Sequence, residues 1–264
     1  MEFNGAQFGD GHVEFSHAKF GNGDLEFKRA KFGNGTLNFE HCEFKGYVSF
    51  QSMTETKTLS KFSLRHSSFD KSLDISDNTF NCIPDLTNTK LTNQVSLGRM
   101  KIKKKYSNGG DHDVERLCRL KELAEANRSY QQALEFHLME MRANRSLRND
   151  KLVNILDIIF DLIAIYGQSI ARPVILLFAI TLIFGCYYEE HLNILIGCED
   201  TYNGFLYSLS QVFTFVSFDL PSRSVTLKCE TIPQVSYLLR LLQGLLSFIF
   251  LFLIGLGFRN RFRL

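Results

Sequence analysis

Polar side chains that could line an ion pathway recur in the last long apolar run of the chain, at intervals of three and four residues. With the apolar residues that continue the same helical stripe, they are Arg240, Gln243, Ser247, Leu251 and Ile254. A charge that faces lipid is costly, so the stripe is expected to face a water-filled cavity or a partner. Apolar side chains at its far end could close a pore by dewetting. A helix-packing face, in which Gly244 and Gly255 allow close approach, is the alternative.

A cluster of lysines could bind an anion. Lys101, Lys103, Lys104 and Lys105 stand within five positions, shortly before a Gly-Gly loop that breaks regular structure. One interpretation is a solvated edge that stops further strands from pairing, which is a common use of lysine. The other is a site for a nucleotide, an oligonucleotide or lipid headgroups, strengthened when several copies converge around an axis.

The sequence offers no recognisable catalytic arrangement. It contains no Cys-x-x-Cys, His-Glu-x-x-His, P-loop or Gly-x-Ser-x-Gly string. His41 and Cys42 are adjacent, but adjacent residues of a strand point to opposite faces, so we expect both to be structural. We therefore expect a protein that is not an enzyme and needs no cofactor.

The N-terminal part of the chain is an internal repeat. Phenylalanines stand at positions 3, 8, 15, 20, 27, 32, 39 and 44, so spacings of five and seven alternate and the pattern recurs every 12 residues. A helix needs apolar spacings of three and four, and a strand needs strict alternation, so neither fits. The five-residue spacing persists at 64–69, 75–80 and 86–91. We expect short strands that turn at Gly and Asn corners and stack as a coil up to about Gly98.

This repeat resembles the pentapeptide-repeat family in its phenylalanine-rich form, whose units read Phe-x-x-Ala-x-Phe. The resemblance covers residues 1–98 and is carried by the units 20–32 and 32–44, with Ala6, Ala18 and Ala30 between the phenylalanines. It implies a quadrilateral β-helix in which two 12-residue units make about one coil.

Residues 99–150 are expected to form a basic loop and a helical hairpin. From Asp113, a suitable N-cap, apolar residues fall at helical spacing, and a second helix is expected from about Ser129 to Asn144. The string 123–136 resembles one tetratricopeptide-type hairpin. A single hairpin cannot build a solenoid groove, so we expect it to pack against neighbours or against the membrane domain.

Residues 151–264 are expected to form an α-helical membrane domain. Residues 152–166 are apolar except for one polar face, which indicates a helix lying in the membrane interface. That face comprises Asn154, Asp157 and Asp161. Two runs, 170–188 and 237–258, are long enough to cross a bilayer. Arginines after the second run favour the cytoplasm for that end, and two spans put both termini on that side. The resemblance to pentapeptide-repeat proteins implies that the membrane is the bacterial inner membrane.

The segment between the spans resembles the pore region of potassium channels. Residues 203–221 begin as a helix too short to span, and span, short helix, loop, span is that family's plan. Three residues fall where the family has the filter threonine and the acid and proline that follow. They are Thr214, Asp219 and Pro221. Val216 and Phe218 replace two filter glycines on whose backbone geometry potassium selectivity depends, so the resemblance implies a poorly selective pore or none, with Ser217 also in its lining.

Two cysteines fall in the segment expected outside the cell. They are Cys198 and Cys229, and the oxidising outer side permits a disulfide between them that would brace the pore loop. Cys42, Cys82 and Cys118 fall in cytoplasmic segments.

The sequence leaves two functions open. The first is an ion channel gated by a cytoplasmic crown domain. The segment 166–173 and the chain end resemble the membrane module often found behind pentapeptide repeats, which implies a homotetramer in the lipid bilayer. The architecture is also similar to Hailong-type anti-phage effectors, which implies a single-stranded DNA oligomer or nucleotide bound at Lys101, Lys103, Lys104 and Lys105. The second function is a non-conducting membrane-anchored scaffold that recruits a partner through the β-helix.

Overall fold

The computed structural model describes residues 1–103, 111–196, 204–212 and 234–262. These residues form two compact units, Met1–Asn154 and Ile155–Leu264. The first begins with a β-solenoid and ends with helices, and the second is helical. The expected fold class, a β-helix followed by an α-helical linker and membrane domain, is confirmed.

The solenoid is built from short parallel strands. They are β1 (Gln7–Phe8), β2 (Val13–Glu14), β3 (Lys19–Phe20), β4 (Leu25–Glu26), β5 (Lys31–Phe32), β6 (Thr36–Asn38), β7 (Glu43–Phe44), β8 (Val48–Ser49), β9 (Lys61–Ser63), β10 (Ser68–Phe69), β11 (Leu73–Asp74), β12 (Thr79–Phe80), β13 (Lys90–Leu91), β14 (Val95–Ser96) and β15 (Lys101–Ile102). The last strand lies beyond Gly98, where the repeat was expected to end.

Each strand pairs with the fourth strand along the chain or, where one strand is missing from a face, with the third. The sheets β3-β7-β10-β13, β4-β8-β11-β14 and β2-β6-β9 form three faces. The pairs β1-β5 and β12-β15 belong to the fourth face, and a bridge from Lys31 to Thr54 continues that face between them. Phe20 pairs with Phe44, two 12-residue units further on. The expected four-sided coil is therefore observed, with about four turns.

Phenylalanines in equivalent positions of successive coils stack on one another inside the solenoid. The ring centroids are 4.8 Å apart for Phe20 and Phe44 and 4.7 Å apart for Phe44 and Phe69. These distances match the spacing of hydrogen-bonded strands, because the backbone ladder fixes the rise of each coil. Phe15 and Phe39 form a second stack at 4.8 Å. The 12-residue period of the sequence thus becomes columns of aromatic rings.

Some corners are the expected Gly and Asn turns, since Gly-Asn-Gly joins β3 to β4 at 21–23 and β5 to β6 at 33–35, but the corners between them differ. Phe27 O accepts a hydrogen bond from the backbone N of Ala30 at 3.1 Å, and Arg29 between them has φ of 56°. This is the backbone of a type II turn, which requires positive φ at its third residue. Equivalent corners are occupied by residues with large side chains, His17, His41 and His66 among them. The centroids of their rings are 4.8 Å apart from one coil to the next. Stacking contacts between the histidines therefore accompany the unfavourable φ at these corners.

Two helices, α1 (Asp111–Ala126) and α2 (Tyr130–Arg145), form the expected hairpin. Leu117, Leu120 and Phe136 are buried in the same hydrophobic core as the solenoid. Gln132 Nε2 donates to Leu97 O at 2.6 Å, and Asn127 Nδ2 donates to Val95 O. The hairpin therefore packs on the last coil, where it covers apolar side chains and satisfies strand carbonyls that have no further strand to bond.

The remaining helices are α3 (Lys151–Ala164), α4 (Ala171–Ile196), α5 (Gly204–Val212) and α6 (Gln234–Arg261). Segments Ala171–Glu190 and Leu238–Arg261 are long and apolar enough to cross a membrane, with mean hydropathies of 1.7 and 2.3. Only 22% and 28% of the residues in their most apolar stretches are buried, whereas the core helix of a soluble domain is mostly buried. This exposure favours membrane association of the second unit.

Candidate pore and ligand-binding residues

The short helix α5 runs back along α4. At the start of α5, a Cβ added to Gly204 would lie 2.5 Å from Gly185 O and 2.4 Å from Glu189 N, so only glycine permits this approach. One turn later, Ser208 Oγ donates to Thr181 O at 2.8 Å. Residues 189, 185 and 181 lie on successive turns of α4, so α5 descends alongside that helix. With nine residues, α5 is about 14 Å long, less than half of the roughly 30 Å hydrocarbon core.

A buried polar contact ties α5 to α6. Gln243 Nε2 donates to Ser208 Oγ at 2.7 Å and to Ser208 O at 3.0 Å. Both side chains are 0% exposed. A buried amide group without such partners would be costly, so this contact fixes the position of the last helix relative to the short one.

Aromatic rings continue this contact towards the start of α5. The guanidinium carbon of Arg240 lies 5.1 Å from the ring centroid of Tyr207. The Tyr207 ring meets that of Tyr188 on α4 edge to face, with centroids 5.0 Å apart. Cation–π and edge-to-face geometries are both favourable. Polar and aromatic side chains from α4, α5 and α6 therefore converge on Tyr207 and Ser208.

The expected pore stripe on α6 is divided between two environments. Gln243 and Ser247 are fully buried within the second unit, whereas Arg240, Leu251 and Ile254 are half-buried. The exposed face of α6 is apolar and includes Leu241, Leu245, Phe248 and Phe252. Thr214, Ser217 and Asp219 lie outside the described residues. The assignment of all eight residues to a pore stays a prediction.

The described part of the lysine cluster is at the end of the solenoid. Lys101 and Lys103 flank the buried Ile102 and are both exposed, because alternate strand residues share a face. Their backbone nitrogens donate to Asn78 O and Phe80 O, each at 2.8 Å. Lys104 and Lys105 lie outside the described residues, so the structure brings two of the four lysines together.

The predicted disulfide falls on Cys198 and Cys229, which both lie outside the described residues. Where the structure is described, Cys42 and Cys82 are buried, Cys186 is exposed and Cys118 is half-buried. Burial raises the pKa of Cys42, whose thiol donates to Phe15 O at 3.0 Å. His41 beside it is exposed, so the two side chains point in opposite directions, as expected. The described residues contain no cluster of His, Cys, Asp or Glu that could hold a metal ion.

No sequence pattern indicated the charged cleft beside α1. A cavity of about 1060 Å³ lies between this helix and the later coils, lined in part by His66, Lys90 and Cys118. Arg119 also lines it, where its Nη2 donates to Thr89 O at 3.1 Å and its Nη1 donates to Glu122 at 3.0 Å. The cleft joins residues far apart in the chain and carries both signs of charge, so its lining specifies no ligand class.

A buried ion pair joins α1 to the solenoid next to this cleft. Arg116 Nε donates to Asp85 Oδ2 at 2.8 Å, and Thr87 Oγ1 donates to Asp85 Oδ1 at 2.6 Å. Burial alone would raise the pKa of Asp85, but the hydrogen bonds from Thr87 and Arg116 outweigh it and hold that pKa below its usual value. The charged form of Asp85 is therefore stabilised by its hydrogen bonds to Thr87 and Arg116.

Comparison with known proteins adds no relative to this description. No protein-family profile matches the chain, and neither a curated protein nor a solved structure is significantly similar to it.

Proposed function

We propose that this chain is the subunit of an oligomeric ion channel in the bacterial inner membrane, with the β-solenoid as its cytoplasmic crown. The observation that carries the proposal is the position of α5, a helix too short to cross a bilayer that packs against two helices long enough to do so. Irregular backbone at membrane depth is tolerated where it is buried in protein or lines a water-filled cavity. A re-entrant helix held in this way is typical of pore domains.

The contacts of α5 support this placement. Its first residue meets α4 at Gly185 and Glu189, and Ser208 reaches Thr181 near the middle of the apolar segment Ala171–Glu190. In the proposed channel, α5 therefore begins near one membrane surface and ends inside the bilayer. Gln243 then anchors α6 to the same turn. Two spans and one short helix cannot enclose a pore, so several copies are required, and we propose a poorly selective homotetramer.

The positions of the arginines support the orientation. Asn260 Nδ2 donates to Gly167 O at 3.0 Å, so the end of α6 lies beside the turn that precedes α4. Arg172, Arg259 and Arg261 are all exposed at this end of the bundle. Because basic residues near span ends are retained in the cytoplasm, we place this end, and with it the solenoid, on the cytoplasmic side.

Substituting Leu251 with asparagine tests conduction. In the proposed channel, a polar side chain at this half-buried position weakens an apolar constriction, so ion flux should rise severalfold over the unmodified protein. The measurement is fluorescence-detected cation flux into liposomes that contain purified protein. Leu245→Asn, on the exposed face of the same helix, is the matched control and should leave flux unchanged.

The outcomes separate the two candidate functions. If neither variant nor the unmodified protein conducts, the chain is a membrane-anchored scaffold and not a channel. If Leu245→Asn conducts and Leu251→Asn does not, the pore-lining face of α6 is assigned wrongly while the channel stands.

We also propose that the crown binds an anionic ligand, a single-stranded DNA oligomer or a nucleotide, through the lysine cluster. Exchanging both Lys101 and Lys103 for glutamate should abolish binding of a short single-stranded oligonucleotide in a mobility-shift assay, because attraction to phosphate becomes repulsion. Lys71→Glu, at an exposed position elsewhere on the solenoid, is the control. Unchanged binding by the double variant would remove the ligand from the proposal, and the lysines would then serve as a solvated edge.

A further inference from the structure

The membrane unit has an uncovered apolar helix face and exposed arginines at the same end. We propose that α3 lies in the plane of the cytoplasmic membrane surface and that Arg172, Arg259 and Arg261 bind the headgroups of anionic phospholipids there. This inference rests on the proposed placement of α4 and α6 across the bilayer, and it adds the class of lipid that the protein recognises.

One face of α3 is packed and the other is bare. Phe160, Ile163 and Ala164 pack against Phe250 and Leu253 of α6. Five aliphatic side chains on the remaining surface of the helix are between 45% and 71% exposed. They are Ile155, Leu156, Ile158, Ile159 and Leu162. A contiguous apolar surface of this kind marks an interaction site, and a helix that lies in the interface buries such a face at the boundary between headgroups and acyl chains.

The end of α3 is fixed at the level of the span ends. After Ala164 the chain reverses through residues 165–167, all with positive φ. Arg172 Nη1, in the first turn of α4, donates to Leu162 O at 3.1 Å and so caps the final carbonyls of α3. A Cβ on Gly257 of α6 would lie 2.9 Å from Ile170, which shows how closely the two span ends meet here. The bare face of α3 therefore continues the exposed apolar surface of the two spans, which identifies lipid as its occupant.

The charges at this end suit an anionic headgroup. Arg172, Arg259 and Arg261 are exposed, whereas the acids on the polar face of α3 are half-buried. Of these, Asp157 accepts a hydrogen bond from Tyr166 Oη at 2.6 Å. The accessible charge beside the apolar face is therefore positive. Each arginine near an anionic membrane surface strengthens attraction to it by about fivefold.

The chain contains no tryptophan, so one introduced tryptophan is a unique fluorescent reporter. We would reconstitute the full-length Leu156→Trp protein in vesicles of phosphatidylcholine mixed equally with phosphatidylglycerol, with one lipid at a time brominated near the headgroup. Lipid contact should quench the reporter strongly, and brominated phosphatidylglycerol should quench more than brominated phosphatidylcholine. In a background with all three arginines changed to glutamine, the two lipids should quench equally.

Two further reporters complete the test. Phe160→Trp, on the packed face of α3, should be quenched much less than Leu156→Trp, and Leu162→Trp repeats the exposed position should Leu156→Trp fold poorly. Quenching at 156 and 162 as weak as at 160 would show that protein, such as a second copy, covers the bare face, and would overturn the proposal. A lipid preference that survives loss of the arginines would overturn their role. Ile183 of α4 is 66% exposed, so Ile183→Trp reports on the span itself. If lipid brominated along its acyl chains did not quench this tryptophan, the membrane placement would instead be overturned.

Discussion

Replacing Phe39 with alanine is expected to lower the free energy of unfolding of the solenoid by about 3–5 kcal/mol. Phe39 is 0% exposed, stacks on Phe15 at 4.8 Å and meets Phe50 edge to face at 5.3 Å. Truncation removes ring contacts to the coils on both sides, and a backbone ladder of fixed rise cannot collapse into the cavity. Denaturant unfolding of the full-length protein in detergent, followed by far-ultraviolet circular dichroism, measures the loss.

Phe20→Ala is the matched control for this prediction. Phe20 stacks on Phe44 at 4.8 Å, but it lies in the first coil and is only half-buried. A smaller loss of stability is therefore expected, since less apolar area leaves contact with protein. Equal losses at positions 20 and 39 would contradict a core that is most tightly packed in the middle coils.

Removing the positive partner of Asp85 is expected to have an effect of similar size. Asp85 is 3% exposed, and an Arg116→Met substitution removes the guanidinium that donates a hydrogen bond to it. Leaving a buried charge without its partner costs about 3–5 kcal/mol. Because Arg116 belongs to α1 and Asp85 to the solenoid, the hairpin should detach from the last coil before the solenoid unfolds. Limited proteolysis of the hairpin and denaturant unfolding together report both effects.

Two variants isolate the role of the buried charge. Arg99→Met removes the partner of Asp77, but the Arg99 side chain is 82% exposed, so little change in stability is expected. Adding Asp85→Asn to Arg116→Met should restore part of the lost stability, because the remaining side chain is neutral. A double variant no more stable than Arg116→Met alone would show that packing of the arginine, and not charge, accounts for the loss.

The sequence predicted the repeat well because the pattern and the fold share one period. Phe20, Phe32 and Phe44 recur at the interval that the coil requires, so the four-sided solenoid and its aromatic core followed directly. The two long apolar helices were predictable for a similar reason, since length and apolar composition are local properties. The corners at His17, His41 and His66 were not, because positive φ there is imposed by the turn and not by the preference of histidine.

Contacts between distant residues escaped sequence analysis. Nothing in the pattern links Asp85 to Arg116 or Gln243 to Ser208, which lies 35 residues away. The polar stripe on the last helix was expected to face a cavity or a partner, and the structure shows that Gln243 bonds to a partner within the same chain. A periodic pattern identifies which residues share a face, but the element that covers this face is decided by the whole fold.

The four-sided coil also determines by how many repeat units the solenoid can lengthen or shorten without turning the hairpin. A full coil takes two 12-residue units and raises the stack by one strand spacing, about 4.8 Å. Gain or loss of whole coils would therefore leave the hairpin facing the same way and only move it along the axis. Gain or loss of a single unit would swing the hairpin half a revolution, to the opposite side of the column. Natural variation in the number of units should for this reason favour even numbers.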